Sequence, residues 1–431
     1  MSTRYSVTSE ALPVNEVARL CLAAGGSNLV LARYSAIVFV DLTDEQAARL
    51  ATTLHVSSVR EVRADEVRSP PEPASAPQGF SAQSLAVATQ FEQVRNTFSP
   101  PLTGAGARVA VIDSGINPHE SIGDRVIFEK DYTGSGSARD EFNHGTGVAS
   151  MIASIAPGAK MLNCRVLGPT GVASVEPVVM AIEDMIDLVR NNDPRYPTMI
   201  NLSLGTPDTG DPNDPLRLAC RAAVRLGRPE EVPGPHQLII IVAAGNDGPA
   251  PGTVTSPAVD GEVLAVGALK TSELAISDFS SRGPTQEALV KPDAVFYGQD
   301  IVLASADGPT NYKVRTGTSF AAPAIVAVIA LSVEMGWRMM GNPVPVPGVQ
   351  GTITPQPTMT VADLFDLASR VCVKPAGVPA GKDNAYGYGM PFGTLVQSAF
   401  KAAAFSLTDL VSPVITLAML GMMARAFTPR R

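Results

Sequence analysis

The chain has 431 residues, enough for two or three domains, and its 45% hydrophobic and 17% charged residues exclude extensive disorder. Its formal net charge of −8 gives no electrostatic reason for binding nucleic acid, so we expect no nucleic-acid partner. The four cysteines form no CxxC pair, so neither a zinc site nor a disulfide framework is indicated, and buried free thiols are expected.

Residues 1–68 predict a small α+β unit. YSAIVFVDL alternates in polarity, DEQAARLATTL has helical spacing, and VSSVREVRAD returns to alternation. Thr43 is the predicted N-cap of the helix, because Glu45 and Gln46 follow in its first turn. The N-terminus lacks the uninterrupted apolar core of a secretory signal, so we expect a cytoplasmic location.

Residues 69–90 predict a linker. SPPEPASAPQGFSAQ is rich in proline, alanine and serine, a composition that neither packs a core nor continues a helix. We therefore expect an exposed domain boundary here.

Residues 91–397 predict an α/β domain. Short, nearly continuous apolar runs such as ARVAVID, PTMINLSL and QLIIIVAAGN alternate with helical stretches. Such strands are typical of a parallel sheet that is covered by helices on both faces. Ligands of such sheets bind beyond the carboxyl ends of the strands, so chemistry is expected in the loops that follow them.

Residues 398–431 form an apolar tail. Its apolar run from Leu410 to Ala424 is interrupted by Pro413 and is shorter than the ~20 residues of a spanning helix. We expect a helix that packs on the protein or on a partner, with association at a membrane as the alternative.

Two stretches of the α/β domain carry a carboxylate and an imidazole. In VAVIDSGIN, Asp113 ends a buried-type strand, where a carboxylate needs a hydrogen-bonding partner; a simple loop or cap carboxylate is the alternative. In NHGTGVASMIA, His144 precedes a helix of small residues, and Gly145 permits close backbone approach. The rival histidine, His119, lacks this setting and is interpreted as a loop residue.

Two further stretches carry an amide and a hydroxyl. Asn246 follows the strand of IIIVAAGNDG, where its amide can stabilise an oxyanion or merely form the turn. Ser319, in TGTSFAAPAIVAVIAL, begins a long apolar helix, as a nucleophile or simply as an N-cap. Together the four residues supply a nucleophile, a base, a carboxylate that orients the base, and an oxyanion donor.

The order Asp113, His144, Asn246, Ser319 resembles that of the subtilisin-like serine proteases, and the similarity extends over roughly residues 91–397. INLSLG, FSSRGP and KPD are also similar to segments of that family. The resemblance implies an α/β fold with a parallel sheet and an Asp-His-Ser triad that needs no metal or cofactor. It also implies that the family's substrate strand, here Ser203, Leu204 and Gly205, bonds an extended peptide through its backbone.

Residues 1–68 resemble, more weakly, the inhibitory propeptide of the same family. The resemblance implies a zymogen in which this region blocks the active site, with self-cleavage between Val67 and Gln83. One departure is Gly147, where the family's HGTH motif has a second histidine. The loop that holds calcium in secreted relatives is missing after the helix that begins at His144, so no calcium site is expected there.

The predicted function is that of a serine endopeptidase acting on protein or peptide substrates. Two alternatives use the same fold: an acyl-transfer enzyme of peptide maturation, which would share every catalytic residue, and a non-catalytic scaffold. The products distinguish the first alternative, and reactivity of Ser319 towards a fluorophosphonate distinguishes the second.

Overall fold

The structure is a computed structural model, and it describes residues 2–75, 78–191, 193, 198–225, 238–271, 273–339 and 361–409. The predicted tail of residues 398–431 lies outside the described residues from residue 410 onward.

Helices and strands are numbered in chain order. Up to residue 95 they are β1 (Thr3–Thr8), α1 (Val14–Ala23), β2 (Ser27–Ala32), β3 (Ile37–Leu42), α2 (Asp44–Ala51), β4 (Ser58–Glu61), β5 (Val67–Arg68), β6 (Phe80–Ser81), α3 (Ala82–Ala88) and α4 (Phe91–Arg95). Beyond it they are β7 (Arg108–Asp113), β8 (Val126–Asp131), α5 (Gly145–Ile155), β9 (Lys160–Arg165), β10 (Val172–Ala173), α6 (Val175–Arg190), β11 (Met199–Leu202), α7 (Pro215–Arg225), β12 (Ile239–Ala243), β13 (Leu264–Leu269), β14 (Ala294–Tyr297), β15 (Ile301–Ala304), β16 (Tyr312–Arg315), α8 (Thr318–Met339), α9 (Val361–Val371), β17 (Cys372–Val373), β18 (Met390–Pro391) and α10 (Gly393–Asp409).

The N-terminal unit, residues 2–62, is an antiparallel sheet of order β2-β3-β1-β4 with helices α1 and α2. The predicted N-cap is confirmed, because the Thr43 hydroxyl accepts from the Gln46 backbone and the Gln46 side chain accepts from the Thr43 backbone. Strand β3 is apolar except at Asp41, because both of its faces are buried elsewhere. One face packs against the unit's own helices, and the other joins the core around α6.

A seven-stranded parallel sheet of order β14-β13-β12-β11-β7-β9-β8 forms the centre of the molecule. Alternate residues of β7 enter two different cores, one formed with α5 and α8 and the other with α6 and α7. This burial on both faces explains the continuous apolar runs of the sequence. The predicted α/β fold with a parallel sheet between helices is confirmed.

Helix α8 is the central helix of the larger core. Its stretch Thr318–Gly336 is long and apolar enough to cross a membrane, yet that stretch is buried inside the protein. Its apolar character is therefore explained by packing against α5 and strands β12 to β14.

The prediction of an irregular linker over residues 69–90 is wrong for its second half. Strand β6 pairs in parallel with β15, and α3 follows at once, with the Ser81 hydroxyl accepting from the Ser84 backbone at its start. Ala82, Leu85 and Ala86 are buried, at the three- and four-residue spacing of a helical face. Composition alone missed this short apolar face among alanine and serine.

Candidate active site

Asp113 and His144 form a buried, hydrogen-bonded pair at the carboxyl end of β7. Nδ1 of His144 donates to Oδ1 of Asp113 over 2.8 Å, and the side chains are 1% and 0% exposed. Because the carboxylate only accepts, the proton must lie on Nδ1, which leaves the lone pair of a neutral ring on Nε2. That Nε2 atom is buried and has no hydrogen-bond partner among the described residues.

The electrostatics of the pair favour a charged imidazole. Burial lowers the pKa of His144, whereas the charge and hydrogen bond of Asp113 raise it, and the net effect is a pKa above the usual value. The pair is therefore arranged to stabilise an imidazolium once the ring has accepted a proton.

The start of helix α5 is fixed by Asp140, which the sequence reasoning missed. Its Oδ2 accepts from the backbone and hydroxyl of Thr146, at 2.9 and 2.7 Å, and its Oδ1 accepts from the hydroxyl of Ser114 at 2.8 Å. A Cβ at Gly145 would lie 2.2 Å from the Gly115 carbonyl and 3.2 Å from Asp113, so glycine is required for the close approach that positions His144.

Ser319 lies in the first turn of α8 and is 1% exposed. Its hydroxyl donates to the Ser203 carbonyl over 3.4 Å, and the Ser203 hydroxyl donates back to the Ser319 carbonyl over 2.8 Å. The ring of Phe320, the next residue, lies 5.4 Å from the His144 ring between centroids. The structure thus brings serine and histidine to one place, with the hydroxyl directed at Ser203.

Asn246 lies beside the same helix start. Its Oδ1 accepts from the Thr318 backbone at 3.0 Å and the Thr318 hydroxyl at 2.9 Å. Since the Thr318 N–H only donates, the orientation of the amide is fixed, and Nδ2 faces away. That nitrogen donates to the carbonyl of Pro71 over 3.1 Å.

The chain itself occupies the cleft. Strand β5 pairs antiparallel with β10 on one side, and on the other Arg68 exchanges two 3.0 Å backbone hydrogen bonds with Gly205. Of the predicted substrate strand, Gly205 makes these bonds, the Ser203 carbonyl faces the Ser319 hydroxyl, and Leu204 is buried in the core. We call residues 67–71 the cleft segment. It ends at Pro71, whose carbonyl accepts the hydrogen bond from Asn246.

Two comparisons with known proteins bear on this arrangement. The model of the subtilase family matches residues 104–389, which include Asp113, His144, Asn246 and Ser319. The chain belongs to the subtilase family. The N-terminal unit precedes the matched range.

Among curated subtilases, the chain is 30% identical to serine protease AprX of Bacillus subtilis, over 56% of this chain and 60% of that protein. It is 31% identical to the membrane-bound transcription factor site-1 protease of mouse, over 54% of this chain and 21% of that protein. It is 29% identical to subtilisin Savinase of Lederbergia lenta, over 58% of this chain and 84% of that protein. The matches thus span 60% of the first of these subtilases and about a fifth of the second.

Proposed function

We propose that the protein is a serine endopeptidase with Ser319 as nucleophile, His144 as general base and Asp113 as the residue that orients the base. One observation carries the proposal. The peptide carbonyl of Pro71 accepts a hydrogen bond from the side-chain amide of Asn246, next to Ser319 and to the His144–Asp113 pair. Membership of the subtilase family and relatives named as proteases support the same activity.

In the proposed mechanism the Ser319 hydroxyl moves from the Ser203 carbonyl to Nε2 of His144, which takes its proton as Oγ attacks the scissile carbonyl carbon. Asn246 Nδ2 and the Ser319 backbone N–H stabilise the oxyanion. His144 then gives the proton to the leaving amine, and water hydrolyses the acyl-enzyme by the same steps.

The N-terminal unit and the cleft segment would act as an intramolecular inhibitor. The cleft segment pairs with both walls of the cleft as an added strand, which excludes substrate from the same backbone groups. The bond presented at Asn246 is Pro71–Glu72, within the predicted range Val67–Gln83, so we propose this bond as the site of self-cleavage.

Ser319→Ala tests the proposal. Loss of the nucleophile should lower kcat for peptide hydrolysis by a factor on the order of 10⁶, the loss measured in subtilisin. It should also abolish fluorophosphonate labelling and leave the N-terminus uncut, whereas the wild type is labelled and begins at Glu72. Ser154→Ala, a serine of α5 whose hydroxyl bonds only within its helix in the described structure, is the matched control and should behave as wild type.

Three outcomes separate the alternatives. A wild type that never reacts with the probe would favour a scaffold over an enzyme. Ligated or cyclised products in mass spectrometry would favour acyl transfer. Identical N-termini in wild type and Ser319→Ala would contradict self-cleavage without contradicting proteolysis.

A further inference from the structure

Arg315, the last residue of β16, is a buried cation with an unusual partner. Its side chain is 1% exposed, and its Nη1 donates to Oε1 of Glu72 over 2.7 Å. Its Nη2 donates to Oδ1 of Asn143 over 2.6 Å, which fixes the plane of the guanidinium. Its Nε is buried without a hydrogen-bond partner among the described residues.

This ion pair lies next to the Pro71–Glu72 peptide bond, the proposed site of self-cleavage. Glu72 directly follows Pro71, the residue whose carbonyl lies on Asn246. The guanidinium carbon lies 5.8 Å from the ring centroid of Phe320, the residue after Ser319. Arg315 therefore binds the side chain of Glu72, the residue on the leaving-group side of the Pro71–Glu72 bond.

Gly147 provides the space for this guanidinium. A Cβ at this position would lie 3.4 Å from Nε of Arg315 and 3.4 Å from the ring of Phe320. Any side chain longer than alanine would have to share the volume that Arg315 occupies. Gly147, the departure from the HGTH motif, thus lies beside the guanidinium of Arg315.

We propose that Arg315 determines substrate specificity by selecting peptides with a carboxylate side chain on the residue directly after the scissile bond. The inference rests on the proposed function, since it assigns a subsite to the same Ser319 centre. Glu72 represents such a substrate residue in the intact chain.

The preference for a carboxylate should be strong because the guanidinium of Arg315 is buried. A guanidinium removed from water needs an anionic partner, and charge-assisted, desolvated pairs are stronger than pairs at an open surface. A glutamine at this position keeps a neutral acceptor but lacks the charge, and a lysine brings a second cation against the first. Sites built around a polar partner discriminate strongly against substrates that lack it.

The experiment uses the 431-residue chain under conditions in which fluorophosphonate labels Ser319. Three internally quenched peptides carry the sequence of residues 67–75 with Glu, Gln or Lys at the position of Glu72. We expect kcat/KM to be about 10-fold to 100-fold higher for Glu than for Gln, and lower still for Lys. Arg315→Met should remove the preference while labelling persists, and Lys313→Met, an exposed cation of the same strand, should keep it.

The outcomes distinguish failure of the inference from failure of the protease assignment. Equal kcat/KM for the Glu and Gln peptides in the wild type would overturn the inference and leave the protease assignment intact, and so would a labelled Arg315→Met that keeps the preference. A wild type that neither labels nor cleaves would overturn both. If Arg315→Met does not label, Arg315→Lys replaces it; a weakened preference for Glu is then expected, and an unchanged one contradicts the role of the planar guanidinium.

Discussion

The N-terminal unit and the cleft segment contact the subtilase domain through different chemistry. The contact of the unit uses a side chain of the domain: the carboxylate of Glu183 in α6 accepts from the backbone N–H groups of Tyr34 and Ser35, at 2.9 and 2.8 Å, and also from the Ser35 hydroxyl. The cleft segment uses main-chain groups, as in the two bonds between Arg68 and Gly205. Side-chain contacts recognise one partner, whereas main-chain pairing accepts many sequences. The contact of the unit is thus selective for this partner, whereas the segment fills the cleft through bonds that many peptide sequences could make.

Among the substitutions that test this contrast, Glu183→Ala should weaken the docking of the N-terminal unit the most. It leaves three donors of the N-terminal unit without an acceptor in a buried contact, at a cost of about 1–3 kcal/mol. We expect the docked state to weaken and the fluorophosphonate labelling rate of Ser319 to rise about 5-fold to 100-fold.

Glu176→Ala is the matched control for this prediction. Glu176 pairs with Arg4 at a half-buried site, and Arg4 keeps Asp41 as a second partner. Pairs of this exposure contribute less than about 1 kcal/mol, so the labelling rate should rise less than about 5-fold. A larger effect for Glu176 than for Glu183 would show that the half-buried ion pair, not the buried carboxylate, holds the unit in place.

Arg68→Pro should have an intermediate effect. Proline removes the N–H that donates to the Gly205 carbonyl, a hydrogen bond with a net contribution of about 0.5–1.5 kcal/mol. The labelling rate should rise about 2-fold to 10-fold.

Arg68→Ala keeps the same N–H and removes only an exposed side chain, so it should label at the wild-type rate. If alanine and proline raise the rate equally, the side chain rather than the main chain holds the segment, and the contrast between the two regions fails.

Glu72→Gln should have the smallest effect, a shift in the pKa of His144. Burial lowers the pKa of His144, Asp113 and Glu72 raise it, and Arg315 lowers it. Loss of the Glu72 charge therefore lowers this pKa, and the neutral imidazole persists to lower pH. NMR titration of His144 in the uncut Ser319→Ala chain measures the midpoint, with the exposed Glu16→Gln as control. A midpoint that stays or rises would show that the charge of Glu72 does not affect the His144–Asp113 pair.

The candidate site residues that the sequence predicts are those that end strands or begin helices. Asp113 and Asn246 follow long apolar runs, His144 precedes α5, and Ser319 lies in the first turn of α8, so local patterns mark all four. The parallel sheet was predictable for the same reason, because its strands are apolar on both faces.

Long-range pairs were not predictable from local patterns. Arg315 and Glu72 are 243 residues apart, and neither lies in a motif, so only the folded chain brings them together. Asp140 could have been suspected as a cap, since acidic residues favour helix starts, but it lies six residues before Thr146 and reaches it across a turn. The contact of Glu183 with the N-terminal unit likewise depends on how two distant parts of the chain meet.

Pro70 and Pro71 make the intramolecular ligand a poorer one than an ordinary peptide. Neither residue has an N–H, so this part of the cleft segment offers no main-chain donor to the Ser203 carbonyl, which the Ser319 hydroxyl occupies instead. Under the proposed function, a free substrate with ordinary residues there would bring an N–H group at each of the two positions. Occupancy then depends on the tether, which keeps the segment at an effective concentration of about millimolar. Once the tether is cut or the N-terminal unit detaches, ordinary peptides should outcompete the segment, and the proposed inhibition would then end by dilution.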